Sequence, residues 1–93
     1  MAIYQSPTKI RLGIILLLVG LAGHLLAAGA MRGARLAYTH HVLGFVLILV
    51  VTAPVVAALH WRFWRGRGDV SLLVLGAVQA VFGIIVYAMQ AAA

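Results

Sequence analysis

Three long apolar stretches, separated by short polar ones, set the pattern of this chain. The first runs from about Ile10 to Met31, the second from about Ala37 to His60 and the third from about Val70 to Gln90. At about 1.5 Å per helical residue, each is long enough to cross the roughly 30 Å hydrocarbon layer of a bilayer. A spanning segment has no water to bond its backbone, so each stretch is expected to be helical. The predicted fold is therefore all-α: an integral membrane protein of three transmembrane helices forming one domain over residues 1–93.

The departures from apolarity inside the spans are themselves patterned. In the first, Gly13, Gly20, Gly23, Ala27 and Ala28 place small residues at helical spacing around His24, the one ionisable group away from its ends. Small residues let helix backbones approach, so this side is predicted to face protein. The second contains Pro54, which removes the bond to the Val50 carbonyl and should kink the helix, with Thr52 placed to re-satisfy freed backbone. In the third, Gly76, Gln79, Ala80, Gly83, Tyr87 and Gln90 follow steps of three and four and form a small, polar stripe predicted to face the bundle. Near mid-membrane, Gln79 is expected to donate to a neighbouring helix, to water or to a cofactor edge.

The flanks add topology. Thr8 is a candidate N-cap for the first helix. The loop Arg32-Gly33-Ala34-Arg35 is short enough to force the first two spans into an antiparallel hairpin. Between the second and third spans, HWRFWRGRGD combines Trp61, Phe63 and Trp64 with Arg62, Arg65 and Arg67, the composition of an interfacial aromatic belt with basic anchors, to which His60 belongs.

Composition narrows the function classes. A 66% hydrophobic content, 9% charged residues and a mean hydropathy of +1.16 exclude an ordinary soluble domain. The net charge of +6 sits beside apolar spans, so the expected partner is the lipid bilayer and not nucleic acid. With no cysteine, disulfides, thiolate zinc sites, Fe–S ligation and covalent haem attachment are out of reach. Asp69 is the sole acidic residue, which leaves no paired carboxylates and no nucleophilic triad, so no catalytic role is expected. The first span lacks a signal-peptide cleavage pattern and is expected to be retained. Lys9, Arg11, Arg62, Arg65 and Arg67 fall on one side and Arg32 and Arg35 on the other, so the N-terminus is predicted in the cytoplasm and the C-terminus outside, in a bacterial or archaeal inner membrane.

One constellation could carry chemistry. His24 lies about seven residues before the end of its span and His41 about four after the start of the next, so in a hairpin both sit about 6 to 10 Å below the outer surface. Intramembrane histidines at one depth define a candidate site, and imidazole is the usual haem ligand. Gly20 precedes His24 by one turn, and Gly44 follows His40, and nearly His41, by one turn, leaving room for a flat ring system. His40 and His41 compete for the ligand role. His60, about 28 Å from His41 along the helix, cannot share their cofactor. Helices in close small-residue contact sit about 8 to 10 Å apart, too near to hold a haem between His24 and His41 unless the hairpin splays. Haem-bearing bundles also tend to use four helices, so larger membrane-protein subunits or a second copy (a homo-oligomer) are expected to complete the bundle.

Three other readings use the same residues. The histidines could be interfacial groups of a cofactor-free subunit packed on larger partners. The spacing small-x-x-x-His at Gly20–His24 and Ala37–His41 would suit one (bacterio)chlorophyll per histidine. A copper site could draw on His24, Met31, His40 or His41, and Met89.

The segment His41-Val42-Leu43-Gly44, its long apolar helix and His60-Trp61-Arg62-Phe63-Trp64 resemble the His-x-x-Gly helices of cytochrome b561-type and related quinone-reactive cytochrome subunits. Val78-Gln79-Ala80-Val81-Phe82-Gly83-Ile84-Ile85-Val86-Tyr87 is similar to a Gln-and-Gly helix of haem A synthase. The resemblance covers about half of the chain. It implies haem b with His24 and His41 as ligands, in a small subunit of a respiratory or photosynthetic electron-transfer complex. In that setting Gln79 or Tyr87 would hydrogen-bond a propionate or a quinone.

Overall fold

Ser6 and Pro7 begin the first helix. Ser6 Oγ accepts from the Lys9 N–H at 3.3 Å and Ser6 O from the Ile10 N–H at 3.1 Å. Pro7, with no N–H to leave unpaired, takes the first helical position. The N-cap is thus Ser6, and the expected Thr8 already lies within the helix. The computed structural model describes residues 5–30 and 37–92, and in them the chain forms α1 (Pro7–Ala30), α2 (Ala37–Phe63) and α3 (Gly68–Ala92). With 24, 27 and 25 residues they are about 36 to 40 Å long, and each is long and apolar enough to cross a membrane. The loop Arg32–Arg35 lies outside the described residues.

α2 runs through Pro54 without interruption and continues three residues beyond the expected boundary at His60, taking in Trp61, Arg62 and Phe63. Nothing before Gly66 stops it: the Trp64 N–H still bonds to His60 O at 2.9 Å. Gly66 then adopts a φ of 81°, a left-handed conformation open to glycine, and the Arg67 N–H closes the turn on Trp64 O at 2.7 Å. The Val70 and Ser71 N–H groups bond to Arg67 O and start α3.

The main packing is between α1 and α3, which run parallel. Ser6 meets Asp69, Gly13 meets Gly76 and Gly20 meets Gly83, all with the same offset of 63 residues. Both glycine pairs recur at a spacing of seven, the repeat of a left-handed helix pair. Contact is backbone to backbone. A Cβ on Gly20 would lie 2.5 Å from Gln79 O, one on Gly83 would overlap Gly20 O, and one on Gly23 would overlap Gly83 O. The small stripe of the first span therefore faces α3, not the α2 hairpin partner.

At the end where both helices start, Asp69 ties them together. The Ser6 N–H donates to Asp69 Oδ2 at 2.9 Å, and Arg67 donates through Nε at 3.0 Å and Nη2 at 2.9 Å to the two carboxylate oxygens. A carboxylate there also faces the positive ends of two parallel helix dipoles. His60 Nδ1 and Ser71 Oγ, hydrogen-bonded at 2.8 Å, pin the end of α2 to the start of α3.

Otherwise α2 packs lightly. Leu43, Leu47, Val50, Val51 and Val55 are each about 60% exposed, and little of the helix is buried by the chain itself. The bundle is a tight α1–α3 pair with α2 laid against one side.

This arrangement ranks the glycines. Gly20→Ala and Gly83→Ala should each lower stability in detergent by about 1–3 kcal/mol, as expected of overpacking, because backbone must move. Gly44→Ala should be tolerated, since its nearest neighbour would be His24 Cε1 at 3.8 Å. Denaturant unfolding followed by circular dichroism checks the order.

Candidate functional site

Six residues before the end of α1, the helix turns the His24 imidazole towards α2. His24 is 2% exposed, and neither of its ring nitrogens is hydrogen-bonded. The His41 main chain lies beside it. The two rings stand 6.2 Å apart between centroids, tilted by 57°, and the edge of Phe45 packs on His24 at 5.8 Å. Buried polar atoms in native folds are nearly always paired, so an imidazole with only the His41 main chain beside it is a candidate binding group.

Both histidines open into a cavity of about 380 Å³. Gly44, Leu47 and Ile48 of α2 form one wall, and Val86, Met89 and Gln90 of α3 form the other. The volume falls within the range of small-molecule sites, and the lining is mostly apolar with few polar groups, which is the usual make-up of such sites. It exists because α2 is not drawn against α1 by glycines. Gly44 is the α2 glycine at this level, and a Cβ there would make ordinary contact with His24 Cε1 and Nδ1 at 3.8 and 3.9 Å.

The structure separates the sequence-predicted residues into two groups. His24, His41 and Gly44 come together. Gly20, expected to give clearance beside His24, instead spends its missing side chain on Gln79 of α3, and does not line the cavity. His40 is exposed and does not line the cavity, so His41 is the α2 histidine there. Tyr87 is 43% exposed and outside the cavity, its place beside the histidines taken by Val86, Met89 and Gln90.

Gln79 is fully buried against α1, and its amide Nε2 and Oε1 both lack hydrogen-bond partners. Neither the expected donation to a neighbouring helix nor a place at the cavity is seen. Of the copper candidates, His24, His41 and Met89 share the cavity, while Met31 lies outside the described residues. Among the described residues there is no cluster of three or more His, Cys, Asp or Glu.

Phe45 and Gln90 are the additions. Gln90 belongs to the polar stripe of the third span, and its position near the end of α3, parallel to α1, is the signal that would have placed it at the level of the histidines. Phe45, four residues after His41, lies one turn along the same face. Comparison with protein-family models, with curated proteins and with solved structures gives no match to this chain.

Gln79 offers a direct test of its burial. Gln79→Leu keeps the volume and removes an unpaired amide, and should raise stability by about 1 kcal/mol in detergent unfolding. A loss of stability would mean that water or another group satisfies the amide in the membrane.

Proposed function

We propose that this chain is a small, non-catalytic transmembrane subunit of a membrane electron-transfer complex, respiratory or photosynthetic, that holds a haem b beside His24 and His41. The observation that carries the reading is the His24 imidazole, buried, without a hydrogen-bond partner and facing a cavity it shares with a second imidazole. Haem supplies one-electron transfer when bound. The chain's part is to hold and shield it.

The residues present fit one edge of such a group. His24 would hold the group through a ring nitrogen, Leu47, Ile48 and Val86 would give apolar walls, and the Gln90 amide is the group at the cavity that would suit a propionate. Gln90 takes the role that the sequence suggested for Gln79 or Tyr87. Ligation by His24 and His41 together, whose rings stand 6.2 Å apart between centroids, would need room that an outward shift of α2 supplies. α2 is the helix with least to lose by moving, since the α1–α3 contact is independent of it. A partner subunit or second copy would cover the remaining face. The excess of basic residues at its end supports a cytoplasmic N-terminus, which would put the cavity near the outer face.

A cofactor-free packing subunit is the second reading, and the specific observation in its favour is the apolar face of α2, exposed along its length for a partner to cover. Against it, the small-residue stripes are consumed by α1 and α3 themselves and are not left for a partner.

A reduced-minus-oxidised spectrum of the protein purified with its native partners should show a b-type α-band that disappears in His24→Ala and is lost or shifted in His41→Ala. A far-red chlorophyll band would replace haem by a single-imidazole pigment. Absence of any tetrapyrrole absorption, together with unchanged or greater stability of His24→Leu, would leave the packing subunit.

A further inference from the structure

The sequence holds seven Lys and Arg and one acidic side chain. That single carboxylate, Asp69, is already engaged: it is fully covered, and both oxygens accept from Arg67 while one also accepts from the Ser6 N–H. The bond to Ser6 sets the first turn of α1 beside the first turn of α3, which brings Lys9 and Arg11 to the same end of the bundle as Arg62, Arg65 and Arg67. Four of these five cations, Lys9, Arg11, Arg62 and Arg65, therefore have no carboxylate side chain anywhere in the chain to pair with. Their counter-charge comes from outside.

Two of them are mounted on aromatic rings. The Arg65 guanidinium stands 4.0 Å over the Trp61 ring, and that of Arg62 lies 5.8 Å from the Phe63 centroid. Arg62 and Arg65 are exposed, and Trp61 and Phe63 are each 66% exposed. Cation and ring are thus presented together where the apolar helices end, which is the depth of phosphate headgroups above and acyl chains below. A soluble acidic segment would use the cations alone. A lipid uses both.

We propose that this basic and aromatic collar is a binding site for an anionic phospholipid. Its phosphate is held by Arg62 and Arg65, with Lys9 and Arg11 adding attraction across the same end, and its glycerol and upper acyl chain lie against Trp61 and Phe63. The site is separate from the histidine cavity, at the opposite end of the bundle, and does not depend on what that cavity holds.

The test is native mass spectrometry of delipidated protein in a mild non-ionic detergent, offered equal amounts of phosphatidylglycerol and phosphatidylcholine with matched acyl chains. Retention of phosphatidylglycerol should exceed that of phosphatidylcholine at least tenfold. Each basic side chain near an anionic surface contributes about fivefold in binding, so Arg62→Gln and Arg65→Gln should each reduce the preference by about that factor, and the double variant should bring it close to parity. Arg62→Lys with Arg65→Lys should keep most of it, and Arg32→Gln with Arg35→Gln should leave it unchanged. Circular dichroism and size-exclusion chromatography establish that the variants remain folded. Equal retention of the two lipids by the unaltered protein would overturn the proposal and leave the charges to an acidic protein segment. A preference that survives the double Gln variant would overturn it as well.

Discussion

Gly20 and Gly83 bring two helix backbones into contact with no side chain between them, and the rest of the bundle is arranged around that approach. In lipid there is no hydrophobic gain from pressing one apolar helix against another, so association depends on close van der Waals packing and on polar contacts. The α1–α3 pair has both. Glycines supply the packing along its length, and Asp69 supplies the polar contact at its start. α2 has a glycine at the level of His24 but none of the paired kind, and it is held at its far end by His60 and Ser71. The difference in packing leaves a gap on one side, and the gap is the histidine cavity.

The two ends of the bundle differ in chemical character. Where α1 and α3 start, Arg67, Asp69, Ser6, His60 and Ser71 form bonds that satisfy one another. Towards the other end, His24 and, deeper, Gln79 are buried with their polar atoms unpaired. Structural polarity is thus concentrated at one end and unspent polarity away from it. A fold that needed only to stand in a membrane would gain from replacing the second kind, as a buried polar group without a partner is costly.

The three spans were legible in the sequence because apolar length alone identifies a segment able to cross a bilayer. The meeting of His24 with His41 was legible too, since a short connection and helical rise fix relative depth. The partner of the small-residue stripe was not. A stripe shows which face of α1 is close-packed, but the choice between a neighbour in sequence and one further on depends on a matching stripe in register, and Gly13 and Gly20 match Gly76 and Gly83 only when the offset is examined. The misplacement of Gly20 beside the cavity follows from that. His40 and His41 could not be told apart either, as adjacent residues on a helix point about 100° apart and the sequence does not say where α2 is rotated. Ser71, an ordinary residue in an apolar run, gave no sign that it would meet His60.

Because the tight pair joins the first helix to the third, the bundle cannot be built in the order of synthesis. Before α3 is present, α1 has its glycine face bare and its Ser6 N–H without Asp69, and α2 covers only the His24 end, through His41 and Phe45. Completion waits for α3, whose Val86, Met89 and Gln90 also supply the last wall of the cavity. The contact that closes the bundle thus joins segments 63 residues apart, and the two-walled cavity beside the histidines exists only with all three spans in place.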